Sequence, residues 1–199
     1  RIVLDIVQPL LANGRLVLAG ARVLCCHSSP IVYPYSSVLV YDANDPWPET
    51  PDWIYVDGLT WFAAAGPDRV IVAIPENRLR LAQSSLDHTS FRRPYVLPQL
   101  ADVTPGYVQI VWNGSEYVLV WSETRGIRGM RFDRAGEPID AEPFEIAAPA
   151  TYSGLSATVT DRGVAIAYSR KEGFEVDVHA YMRTLERLGS LSRKRSARH

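Results

Sequence analysis

The sequence predicts an all-β protein of the β-propeller class, and three observations carry that reading. A segment of fixed layout recurs every 48 residues, each copy holds strand-like runs separated by polar turns, and helical periodicity is weak throughout. The copies open at Gly58-Leu59-Thr60, Gly106-Tyr107-Val108 and Gly154-Leu155-Ser156. Each goes on to a short apolar strand and a polar turn: Gly66-Pro67-Asp68-Arg69, Asn113-Gly114-Ser115-Glu116 and Thr160-Asp161-Arg162-Gly163. Gly, Pro, Asn and Asp mark reversals because they supply positive φ, a preset φ, or side-chain bonds to the local backbone.

A strongly apolar second strand follows as Val70-Ile71-Val72-Ala73, Tyr117-Val118-Leu119-Val120-Trp121 and Val164-Ala165-Ile166-Ala167-Tyr168. In Tyr117 to Trp121 both alternating sets are apolar, so both faces of that strand should be covered, as they are when sheets stack. Tyr117, Leu119, Trp121, Val70, Val72, Ile166 and Tyr168 are the predicted core. The third strands, around Leu79–Ala82, Ile127–Phe132 and His179–Arg183, mix in arginines as a rim does. A weaker strand around Phe144-Glu145-Ile146 completes four per unit, the size of one propeller blade. About four extra residues at Lys171 to Asp177 enlarge the last copy.

These periods divide the chain into a diverged N-terminal blade at 1–57, blades at 58–105, 106–153 and 154–188, and a basic tail at 189–199. In the first, Asn13-Gly14 before Leu16–Ala19 and Ser37–Tyr41 both resemble a second strand, which leaves the frame open. About four units fit either a four-bladed ring or an arc of a larger propeller. Ile2 to Val7 is apolar enough to close such a ring beside the last unit. The best short helical candidate is Leu185 to Leu191.

The 199 residues are 47% hydrophobic and 22% charged with a formal net charge of −1, enough apolar content for a core and too little basic charge to make nucleic acid or an anionic membrane the main partner. The basic concentration Arg193, Lys194, Arg195 and Arg198 reads as a solvated end. No apolar run nears the roughly 20 residues that span a bilayer. The chain starts at Arg1 and runs directly into strand-like sequence, so it reads as processed or cut from a longer protein. Cys25 and Cys26 are adjacent and would point to opposite faces of a strand, which suits no ordinary disulfide. With His27, His88, His179 and His199 scattered, no zinc pattern forms.

Several segments carry residue types suited to chemistry. Asp42 to Trp53 concentrates carboxylates, prolines and two tryptophans in one loop, with Pro46, Pro48 and Pro51 restricting its backbone. Its plain reading is an acidic, proline-stiffened loop. Its functional reading is a ligand site in which Trp47 and Trp53 stack a sugar or peptide while Asp45, Glu49 and Asp52 accept hydrogen bonds. Calcium is a third reading, but Trp47 stands where a calcium-binding EF-hand loop requires Gly, and no other cofactor is implied. Ser85 to Phe91 reads as a turn between outer strands, and Arg92 and Arg93 belong to no carboxylate-gripping triad. His88 and His179 have acids beside them, yet nothing like Gly-x-Ser-x-Gly is present. Trp61, Trp112 and Trp121 read as wedges between blades.

The stretch Val111-Trp112-Asn113-Gly114-Ser115-Glu116-Tyr117-Val118-Leu119-Val120-Trp121, with Ile127–Asp133 and Gly136–Asp140 after it, resembles a repeat of large exported bacterial proteins, notably of myxobacteria. That repeat reads Trp-Asn-Gly, a short free spacer, then Tyr-Leu-Val-Val-Trp. The similarity is good over 106–146, fair over 58–97 and 154–188, and absent before about residue 57; Ala73 and Tyr168 depart from the closing Trp. It implies an extracellular, cell-surface or periplasmic β-propeller used for binding or display, and it brings no catalytic residues. The expected function is therefore a noncatalytic module that binds a glycan, peptide or protein through loops, with further blades or domains as possible neighbours. The alternatives are a glycan-processing hydrolase or lyase whose acids, Glu76, Glu123 and Asp57 among them, meet at the propeller centre, and a purely structural scaffold.

Overall fold

The computed structural model describes residues 4–12, 15–23, 35–42, 53–57, 61–86, 91–161, 163–172 and 175–183. Among them, fifteen strands form four antiparallel sheets, each a meander of strands consecutive in the chain. The first sheet holds β1 (Leu4–Ala12), β2 (Arg15–Val23), β3 (Tyr35–Asp42) and β4 (Trp53–Asp57). The second holds β5 (Phe62–Ala65), β6 (Arg69–Pro75), β7 (Leu79–Ser85) and β8 (Phe91–Tyr95). The third holds β9 (Val108–Trp112), β10 (Tyr117–Glu123), β11 (Gly126–Phe132) and β12 (Phe144–Ala147). The fourth holds β13 (Thr151–Thr160), β14 (Gly163–Glu172) and β15 (Glu175–Arg183).

The alternation of side chains along the second strands decides how these sheets stack. On β6, Val70, Val72 and Ile74 join Ala63, Ala65 and Leu10 of the first sheet, whereas Ile71 and Ala73 turn to the third. On β10, Tyr117, Leu119 and Trp121 meet the second sheet, and Val118 and Val120 meet Val164 and Ile166 of the fourth. The two-faced apolar pattern of these strands is thus used on both faces. Tyr117, Leu119, Trp121, Val70 and Val72 are fully buried and Ile166 nearly so, while Tyr168 is only partly covered. The opening strands β1, β5, β9 and β13 follow one another side by side, so successive sheets approach along the same edge.

Three sequence expectations change. From Leu4 onward the proposed closing strand belongs to β1, which pairs with β2 in the first sheet (Leu10↔Val17, Ala12↔Arg15) instead of completing the last unit. Trp53 is no loop residue: it opens β4 opposite Leu39, and Asp42 closes β3. The extra residues of the last copy lengthen a hairpin, with Lys171 opposite Val176 and Glu172 opposite Glu175. Residues 185–191 and the cysteines lie outside the described residues.

The second and third sheets are also locked by buried polar groups, all at one end. The Tyr117 hydroxyl donates to the Arg69 carbonyl (2.7 Å) and accepts from the Gly66 amide (3.0 Å), which lashes β10 to the β5–β6 turn. Gln83 of β7 donates to the Gly136 carbonyl (2.9 Å) in the β11–β12 turn and accepts from Arg69 Nη1 (2.7 Å). Gly136 has φ +79°, and a Cβ there would sit 2.6 Å from Gln83 Oε1, so both conformation and space demand glycine. Arg134 and Asp68 add an exposed ion pair across the same end, worth little in water.

Trp121→Ala empties a site with no exposed surface and should cost about 3–5 kcal/mol, read as a lower denaturant midpoint; an unchanged midpoint would remove Trp121 from the core. Burial pushes the Tyr117 phenol well above its ordinary value, against the smaller opposing effect of the Gly66 hydrogen bond. Its contribution is therefore fully present below about pH 10, the unfolded-chain value, and is lost as pH rises beyond it. Unfolding free energy should fall above that pH less steeply in Tyr117→Phe than in the parent; parallel alkaline profiles would contradict the assignment.

Candidate functional site

At the end opposite the lock, the connector from β8 to β9 and the loops of the third sheet surround a cleft of about 470 Å³. Its first wall is the connector from β8 to β9. Leu97, Leu100 and Val103 recur every third residue, the period of the single 3₁₀ turn at Pro98–Leu100, and all three plug the core. Pro98 suits the first position of that turn, where an amide hydrogen is not needed. The opposite side of the connector is polar, and Pro98, Gln99 and Asp102 face the cleft. The connector is pinned in its second half: the Leu79 amide donates to the Val103 carbonyl (3.3 Å), and the Gly106 amide donates to the Ser122 carbonyl (2.8 Å).

The second wall is the β10–β11 hairpin, which presents Trp121, Glu123, Arg125 and Arg128. The reversal needs Gly126: its φ is +118° and a Cβ would lie 2.2 Å from the Ala147 carbonyl oxygen. The third wall is Ala141-Glu142-Pro143. Two contacts hold it in place. Arg131 clasps Asp140 (Nη2 to Oδ1 2.6 Å, backbone amide to Oδ2 2.8 Å), and Arg128 Nη2 donates to the Pro143 carbonyl (2.7 Å). Asp140 beside Arg131 pushes that guanidinium up from its already high value, its hydrogen bond outweighing the opposing effect of burial.

The lining is of mixed sign, with Asp102, Glu123 and Glu142 set against Arg125 and Arg128. Glu123, its side chain 9% exposed, lies 3.9 Å from Arg128 Nε. Three lining side chains also carry buried polar atoms without a hydrogen-bond partner: Trp121 Nε1, Arg128 Nε and Gln99 Oε1. Among the described residues no group of His, Cys, Asp and Glu is arranged to hold a metal ion, and no helix is long and apolar enough to cross a membrane.

Of the residues singled out in the sequence, Asp45, Trp47, Glu49 and Asp52 lie outside the described residues, and Trp53 is placed only as the first residue of β4. Glu123 lines the cleft, Glu76 is paired with Arg80 (2.5 Å) at the β6–β7 turn, and Asp57 ends β4 opposite Tyr35. Arg92 lies 3.6 Å over the Tyr95 ring and 3.5 Å from Glu137, a packing role at the locked end. Asp102, Gln99, Arg125, Arg128 and Glu142 escaped the sequence reading. A signal for them existed in the residues between Tyr95 and Gly106, which fit no strand and carry Pro98 and Pro105, the mark of a connector that bridges sheets.

No protein-family model matches the chain, and no curated protein matches it. Among solved structures, an alpha-L-arabinofuranosidase from Clostridium thermocellum is similar at 12% identity with a TM-score of 0.51, covering 95% of this chain and 71% of that one. A prolyl endopeptidase is similar at 13% identity and a TM-score of 0.52 over 87% of this chain, which spans only 26% of that protein. At these identities the similarity is one of fold: the chain is an all-β protein of antiparallel sheets built on the same plan as part or most of these two.

Proposed function

We propose that this chain is a noncatalytic β-propeller module, its four sheets serving as blades, that binds a glycan, peptide or protein ligand in the cleft between the β8–β9 connector and the third sheet. The observation that carries the reading is the cleft itself. Side chains of both signs converge there from three segments, each fixed to the scaffold by its own hydrogen bonds. Concave sites with a few convergent polar groups on a rigid frame are where ligands bind. As part of the same proposal, the module works outside the bacterial cytoplasm beside further blades or domains, the setting implied by the repeat around Trp112 to Trp121.

The second reading, glycoside hydrolysis, is favoured by the shared fold with an arabinofuranosidase and by three carboxylates in one cleft. Hydrolysis needs two carboxyl groups set across the scissile bond, one giving a proton and the other acting on the sugar. Here Glu123, the best covered of the three, sits at ion-pair distance from Arg128, 3.9 Å from its Nε, so the arrangement supports holding more than cleaving.

Affinity electrophoresis of the full chain against immobilised polysaccharides, run beside hydrolysis of a chromogenic α-L-arabinofuranoside, separates the readings. The expected result is retardation by at least one polymer without turnover. Turnover that Glu123→Gln lowers by about 100-fold or more, the usual scale for a general acid–base group, would establish the hydrolase instead.

A further inference from the structure

Three residues that line the cleft each carry a buried polar atom with no hydrogen-bond partner, and a ligand that opens onto those atoms must match them. Trp121 is completely buried, yet its indole Nε1 has no acceptor. Arg128 Nε likewise has none within hydrogen-bonding distance, Glu123 being 3.9 Å away, and Gln99 Oε1 has no donor. A buried polar group left unmatched is costly, and native proteins leave few of them. Here three coincide in one cleft, contributed by β10, β11 and the β8–β9 connector, together with the acceptors Asp102, Glu123 and Glu142.

Resting on the reading of this cleft as a binding site, we infer that its ligand is a neutral saccharide. The complement of two unmatched N–H donors and one unmatched amide oxygen is a group that accepts and donates at a single atom, and adjacent sugar hydroxyls repeat such a group at close spacing. Arg128, Gln99 and the carboxylates are planar side chains able to bracket neighbouring hydroxyls. Pro98, Val103, Ala141 and Pro143 supply apolar wall for the C–H face of a ring. A strongly anionic ligand would meet Asp102, Glu123 and Glu142, and a strongly cationic one Arg125 and Arg128, so the mixed lining selects against both. An extended peptide is usually read along a strand's backbone edge, whereas these unmatched groups are side chains converging on a pocket.

The test is calorimetric titration of the full chain with neutral tetrasaccharides derived from arabinan, xylan and cellulose, with an oligogalacturonate, and with a mixture of extended tetrapeptides. The variants are Gln99→Leu, a change on the connector, and Trp121→Phe, which keeps an aromatic ring but removes Nε1; thermal melts of both establish that they fold. The expected result is saturable binding of a neutral tetrasaccharide, weakened at least tenfold by each folded variant, with little binding of the oligogalacturonate. Saccharide binding that neither folded variant weakens, or a preference for the oligogalacturonate, overturns the inference. Peptide binding sensitive to Gln99→Leu, without saccharide binding, overturns the ligand class and leaves the cleft as a binding site. Absence of binding by all probes overturns both.

Discussion

The architecture depends on how the second and third sheets close on one another at one end. Between them lies the largest apolar cluster among the described residues, running from Ile71 and Leu81 through Tyr117, Leu119 and Trp121 to Met130 and Phe132. Apolar contact alone would permit sliding, because it is non-directional. Tyr117 and Gln83 add direction: each satisfies backbone groups of the opposite sheet, and each is buried where an unmade bond is expensive. The aromatic body of Tyr117 and its hydroxyl thus set the spacing and the register of the same interface, with the Trp112 ring tilted against it at 4.6 Å between centroids.

Closure at one end determines the other. With turns 66–68, 113–116 and 133–138 drawn together, the opposite ends are filled by the connector, whose Leu97, Leu100 and Val103 continue the core. Its polar side is then obliged to face outward beside the β10–β11 hairpin. The cleft is the space that remains once the apolar residues are satisfied, which is why its lining is polar while its floor reaches Trp121.

The all-β class, the strand positions and the buried faces of β6 and β10 were legible because they follow from alternation and turn chemistry, both local properties. Asn113 shows how local: its side chain accepts from the Ser115 and Glu116 amides and writes its own turn. The cleft was not legible by the same means. Asp102, Arg128 and Glu142 are neighbours only because Arg131 clasps Asp140 and the Gly106 amide bonds Ser122, pairings no periodicity announces. The Asp42–Trp53 segment drew attention through composition, a property that marks irregular chain without saying which surface it adjoins. Trp53 shows the limit, since an aromatic residue that looks exposed in a polar run also suits the first position of a strand.

The fourth sheet differs from the second and third in one respect that bears on how the molecule comes apart. Its inward face carries Val164 and Ile166, but Ser153, Ser156, Thr158 and Ala167 on β13 and β14 are open to solvent. A sheet covered on one face owes its persistence to a single neighbour, whereas the second and third are gripped on both sides. Opening events should therefore be graded along the stack, beginning with β13 and β14 and reaching β6 and β10 last, as in arrays whose cohesion is mainly nearest-neighbour. Amide exchange would then run from one flank of the array toward its middle, and the cleft, built on the slow-exchanging pair, would keep its shape while the fourth sheet breathes.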